Sequence, residues 1–142
     1  MTDTVRLLCN TIKKNQPEVP IKFVLMNTAG NRNRGLNEAI SFGEKAVIGL
    51  LRLLLPPHPD NEKAADYLRI NIGKKDPSTE WVVVRLDSLI NEASITDYAL
   101  FVSPTRSAIF NAGKSSRINV GHLWLSLLMI VAHGMYGRIK CP

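Results

Sequence analysis

Cysteine is scarce: the 142-residue chain holds two, Cys9 and Cys141, near its opposite ends. That excludes a multi-disulfide scaffold and points to no obligatory bridge. Aromatic residues make up 6%, so extended base stacking lacks its usual platforms. No Asn-x-Ser/Thr acceptor occurs, and the first residues include Asp3 with no basic flank leading into a long apolar run. An intracellular, cytoplasmic protein without a secretory signal is therefore expected, with membrane association or residence in a virion as variants. The largest absence is of acid. From Tyr98 to Pro142 there is no Asp or Glu, whereas Arg106, Lys114, Arg117, Arg138 and Lys140 all fall there. Met1 to Asp97 is close to balanced, with 13 basic and 12 acidic side chains, and the whole chain carries +6. An acid-free basic stretch suits RNA, DNA or an anionic lipid surface, although a buried stretch would also carry few charges.

With 45% hydrophobic residues, the chain is apolar enough to fold as one domain. Val5, Leu8, Cys9 and Ile12 recur at helical spacing, which predicts an amphipathic helix over Thr2 to Asn15 with Thr2 or Asp3 as its cap. Ile21 to Met26 reads as a strand, followed by the glycine-bounded loop Gly30-Asn-Arg-Asn-Arg-Gly35. A second helix is expected over Leu36 to Leu55, where Gly43 and Gly49 mark close packing and Pro56, Pro57 and Pro59 end the pattern. Asp60 is expected to cap a short helical turn through Ala65. Tyr67 to Ile72 and Trp81 to Leu86, rich in β-branched residues, flank Gly73 to Thr79 and read as a hairpin. Its alternation would put Leu68, Ile70 and Ile72 on one face. Tyr98 to Val102 is a further candidate strand. Ile118 to Tyr136 is the last helix. Its polar interruptions at Asn119, His122, Ser126 and His133 favour a buried or interfacial helix over a bilayer span. The expected fold is thus one α+β domain over 1–142, with three main helices, a small antiparallel sheet and a basic, acid-free C-terminal third (98–142).

Ala108-Ile-Phe-Asn-Ala-Gly-Lys-Ser115 resembles the P-loop of nucleotide-binding proteins, with Ala108 in the place of the first glycine. The resemblance implies backbone N–H groups around phosphates, Lys114 on the terminal phosphates and Ser115 on Mg²⁺. Ile109 and Phe110 sit where such a loop wraps tightly, and only 27 residues follow Ser115. A basic turn before the last helix is the better reading.

The histidines show no zinc spacing. His122 and His133 share a helical face but lie roughly 16 Å apart along it, and His58 sits in a Pro-rich segment. Glu38 and Glu44 read as a solvated helix face, as do Asp60, Glu62 and Asp66 beside Lys63. No Gly-x-Ser-x-Gly elbow occurs. No cofactor, metal or catalytic set is expected.

The basic loops are more coherent. Arg32 and Arg34 alternate with asparagine between glycines, Lys74 and Lys75 project from a turn, Arg106 follows Pro104, and Lys114 and Arg117 bracket two serines. These residue types suit phosphate contact. The expected function is a non-enzymatic, self-assembling binder of RNA or another polyanion, using Arg32, Arg34, Lys74, Lys75, Arg106, Lys114 and Arg117. The composition is similar to that of small viral coat, nucleocapsid or matrix proteins. The leucine-rich stretches Leu50 to Leu55 and Leu123 to Ala132 point to a homo-oligomer, with an anionic membrane surface as a further partner. The alternatives are a nucleotide-binding protein using residues 108–115 and a membrane-associated adaptor using the last helix.

Overall fold

The computed structural model describes residues 1–31, 41–55, 57–103 and 105–130. In chain order these form α1 (Thr2–Asn15), β1 (Ile21–Thr28), α2 (Phe42–Leu54), α3 (Pro57–Tyr67), one π-helical turn (Leu68–Ile72), β2 (Thr79–Leu86), β3 (Ser88–Ile90), β4 (Lys114–Ser116) and α4 (Arg117–Ile130). The mixed α+β class is as expected, with four α-helices among the described residues rather than three. The sheet is different. β1 pairs with β2 in parallel, Ile21 opposite Thr79 through Thr28 opposite Leu86. β3 and β4 form a second parallel pair, Ser88 opposite Lys114 through Ile90 opposite Ser116. The antiparallel hairpin does not form, and Tyr98 to Val102 forms no strand.

The physical reason lies in Leu68–Ile72. Its leucine and isoleucine are four residues apart, so one helical face carries both into the core, and the Gly73 N–H closes the turn on the Leu68 carbonyl at 2.9 Å. Leu68 is 0% exposed and Ile72 8%, whereas Ile70 between them is 66% exposed. A short apolar run satisfies strand and helix templates equally, and tertiary packing decides between them. With this segment helical, Trp81 to Leu86 takes β1 as its neighbour. Gly73, at φ 72°, lies in the left-handed region where glycine avoids a Cβ clash and ends the turn.

The core joins Val5 and Cys9 of α1, Leu25 of β1, Ala64 of α3, Leu68 and Ile72, with Phe23, Trp81 and Val83 packed against it. Phe23 opposite Trp81 and Leu25 opposite Val83 define the covered sheet face. Met26 and Val82, on the other face, remain exposed. α1 buries Val5, Cys9 and Ile12 as its spacing requires, but Leu8 is exposed. The Cys9 thiol pKa is raised by burial and then by Asp76, with Lys13 opposing, which keeps the thiol neutral and inert.

The caps also differ from expectation. Met1 occupies the α1 N-cap with no side-chain bond. Asp60, from the first turn of α3, supplies that role: its Oδ1 accepts the Thr2 N–H at 3.1 Å, and its other oxygen pairs with the N-terminal ammonium. A carboxylate at a helix N-terminus satisfies an orphan donor and complements the dipole. These bonds, the ammonium's foremost, hold the Asp60 pKa down to about 2 from its ordinary 3.8.

Leu68→Ala should destabilise the protein by about 2–5 kcal/mol, and Ile70→Ala by less than about 0.5 kcal/mol. Urea unfolding of both variants checks this, since a strand would make them comparable. Because the Asp60 pKa is depressed on folding, its stabilisation is present above about pH 4 and lost as pH falls through about 2. Asp60→Asn should lower stability at neutral pH and flatten the acid loss in that window, as read by denaturation at several pH values.

Candidate functional site

β1 and β2 run the same way, so the described surface divides naturally into a carboxyl end and an amino end. At the carboxyl end lies a cavity of about 280 Å³. Thr28 ends β1 and is followed by Ala29 and Gly30, Leu86 ends β2, Asp87 links it to Ser88 of β3, Ile48 and Leu51 come from α2, His58 from α3, and Ala108, Ile109 and Ala112 from the segment before β4.

Several interactions hold this segment in place. Ser41 and Glu44 form a reciprocal capping box at the start of α2. Glu44 is not on a solvated face: it is 9% exposed, and its second oxygen accepts the Ser107 hydroxyl. That hydroxyl first, then the Ser41 backbone, lowers the Glu44 pKa against the opposing effect of burial. The Phe110 ring lies 3.5 Å from where a Cβ on Gly43 would stand, so Gly43 does mark close packing. Gly49 meets nothing within 4 Å.

Gly113 has an unanticipated role. A Cβ there would lie 2.5 Å from Asp87 Oδ2 and 3.2 Å from its Cγ. The glycine therefore lets the Asp87 carboxylate lie against the backbone just before β4. Lys114 and Ser115 belong to that strand, and α4 begins only at Arg117. The segment resembling a P-loop thus lacks the loop-to-helix geometry that would aim backbone N–H groups at phosphates.

His58 is the second residue of α3 and not part of an irregular loop. Its Nε2 faces Gly30, 3.9 Å from where a Cβ would stand. Its buried Nδ1 has no hydrogen bond and lies 3.9 Å from Glu62 Oε1. Arg52 holds Glu62 through two bonds of 2.9 and 3.0 Å.

The basic residues separate into two groups. Lys114 and Arg106 are exposed toward the carboxyl end, and Arg117 donates to Asn91 at 2.8 Å. Arg32 and Arg34 lie outside the described residues. Asn31, just before them, is buried, and its carbonyl accepts from Arg85 at 3.1 Å. Lys74 and Lys75 lie at the amino end, before β2. The eight residues of β2 put roughly 23 Å between the two groups at about 3.3 Å per residue.

The amino end gains partners that the sequence did not indicate. Lys13, in the last turn of α1, bridges to the almost buried Asp76 at 3.2 Å. That bridge docks the Lys13-Lys14 end of α1 beside the Lys74-Lys75 loop. Glu18 and Glu80 border this end but form no ion pair with these lysines. Elsewhere the Tyr98 hydroxyl and His122 Nδ1 share a hydrogen bond of 2.8 Å on an exposed face of α4, and His133 lies outside the described residues. No group of three or more metal-type ligands occurs among the described residues. No helix among them is long and apolar enough to cross a membrane.

No protein-family model, no curated protein and no solved structure matches this chain.

Gly113→Ala should destabilise by about 1–3 kcal/mol through overpacking against Asp87. Asp87→Ala in the same background should recover most of that loss. Thermal and chemical unfolding of the two single variants and the double variant measures the coupling.

Proposed function

We propose that this chain is a non-enzymatic module that binds the phosphate backbone of RNA through its amino-end lysines and associates with itself on the bound strand. The observation that carries this reading is the Lys13–Asp76 bridge. It neutralises the acid of the loop, and Lys14, Lys74 and Lys75, in the two segments it joins, are exposed without an acidic partner among the described residues. Backbone-directed contact of this type is sequence-tolerant, which suits a chain with few aromatic residues. Arg106, Lys114 and Arg117 extend positive charge to the other end, so a long polymer is favoured over a short anion.

Self-association rests on α2. Its inward face holds Glu44 and Ile48, while Leu50, Leu53 and Leu54 form a second apolar stripe that is exposed. Phe42, on the same helix, is exposed too. A helix apolar on both sides calls for a second covering partner. Copies carrying +6 each repel one another in solution. A polyanion that neutralises them removes that barrier, so α2 of a second copy is the occupant we assign to this stripe.

Binding to fluorescein-labelled oligouridylate should weaken with salt. The triple variant Lys14→Ala, Lys74→Ala, Lys75→Ala should reduce the log–log salt slope by about 2, at about 0.7 per single-strand phosphate contact. The isotherm should be cooperative, and Leu53→Lys should remove the cooperativity while sparing the first binding step. An unchanged slope in the triple variant, or binding to phosphatidylserine vesicles with none to RNA, overturns the proposal.

A further inference from the structure

The cavity at the carboxyl ends of β1 and β2 lies at the opposite end of the sheet from the lysines and shares no residue with them. We propose that this cavity binds a small, uncharged, hydroxyl-bearing molecule of nucleoside or monosaccharide size, with Asp87, Ser88, Thr28 and His58 as its polar contacts.

Five observations fix the ligand class. Asp87 lines the cavity and its carboxylate makes no hydrogen bond or ion pair with described residues; with Oδ2 against Gly113, Oδ1 is the acceptor it offers. It also opposes entry of a phosphate or another anion. His58 turns Nε2 toward Gly30 and Nδ1 toward Glu62. The ring nitrogen facing Gly30 is a further polar group, donating or accepting according to its tautomer. Thr28 supplies the function opposite to that of Asp87: its oxygen accepts the Gly30 N–H at 3.0 Å, leaving its own proton to donate. A ligand must therefore both donate and accept, as a sugar hydroxyl does and an ammonium cannot. Ile48, Leu51 and Ile109 supply apolar wall for a ring face. At about 280 Å³ the space falls just below the ~300–1,000 Å³ range of drug-sized sites. A dinucleotide is too large for it.

The experiment is a titration of the ¹⁵N-labelled full chain with adenosine, D-ribose, tyramine and inorganic phosphate in turn, followed by amide chemical shifts. Adenosine should move the amides of Ala29, Gly30, Asp87 and Ser88, and D-ribose should move the same set more weakly. Asp87→Asn should weaken adenosine binding about tenfold, the loss of one charge-assisted hydrogen bond, with the dispersion of a folded spectrum retained. Ser88→Ala, at an exposed position, should weaken it a few-fold and carries the test if Asp87→Asn does not fold. The inference is overturned if neither sugar probe moves these amides, if the shifts survive in both variants, or if only tyramine or phosphate produces them. RNA binding by the amino-end lysines is read separately from its salt slope, so failure of either proposal leaves the other standing.

Discussion

Parallel pairing of β1 with β2 is the constraint on which the rest of the structure depends. Two parallel strands cannot be joined by a tight turn, because the chain must travel from the carboxyl end of the first to the amino end of the second. Here that crossover contains α2, α3 and the π-helical turn. Its return leg puts Leu68 and Ile72 under the sheet and delivers Lys74 and Lys75 to the amino end. Its outgoing leg leaves the Asn31 carbonyl against Arg85 at the carboxyl end. Both candidate sites follow from this one topological choice, one at each end of the same pair of strands.

The sheet is covered well on one face, where α1, α3 and the π-helical turn meet Phe23, Leu25, Trp81 and Val83. Parallel strands usually have both faces covered, and here Met26 and Val82 stay exposed on the second. Lys22, which projects from that face, reaches the Leu128 carbonyl of α4 at 3.1 Å. Two polar groups on the covered face find partners across elements: Asn27 donates to the Asn61 carbonyl at 3.2 Å, and Trp81 donates to the Gly73 carbonyl, whereas the buried Thr79 hydroxyl has none. An unpaired buried amide costs about 1–3 kcal/mol. These bonds therefore select which elements may sit together as well as how tightly they pack.

Elements with a long, regular period were legible in the sequence. The bounds of α1 match its amphipathic stripe, and β1 and β2 lie where their apolar patterns are; α2 begins at Phe42 behind the extended cap Ser41 rather than at Leu36, and α4 is described from Arg117 to Ile130. The misreadings share a cause. In Tyr67 to Ile72, alternation with Arg69 and Asn71 imitates a strand, while the four-residue spacing of Leu68 and Ile72 fits a helix. Only the position of Ala64 and Cys9 decides between them. Strand direction was equally hidden, because the partner of Trp81 is Phe23, far back in the chain. The candidate sites were half visible. Lys74 and Lys75 stood out as a pair, but Lys13 and Lys14 join them only through Asp76. Thr28, His58, Asp87 and Ser88 form no motif at all, since three different elements bring them together.

α3 links the two ends. At its start, Asp60 caps α1, whose far end carries Lys13 and Lys14 beside the lysine loop. One residue from each side of Asp60's turn looks the other way: His58 lines the cavity, and Glu62 ties the helix to Arg52 of α2. Residues 58 and 62 lie four apart and share a face, whereas Asp60 lies roughly 200° around the helix from His58 at about 100° per residue. A single short helix therefore braces α1 with one side and the cavity wall with the other. Its apolar contribution is small, with Ala64 as its one fully buried residue. What fixes its rotation is the opposed set of carboxylate contacts. A rotation that loosened Asp60 from α1 would also carry Glu62 off Arg52 and His58 away from Gly30. The charged groups on α3 thus do for its orientation what a hydrophobic stripe does for α1.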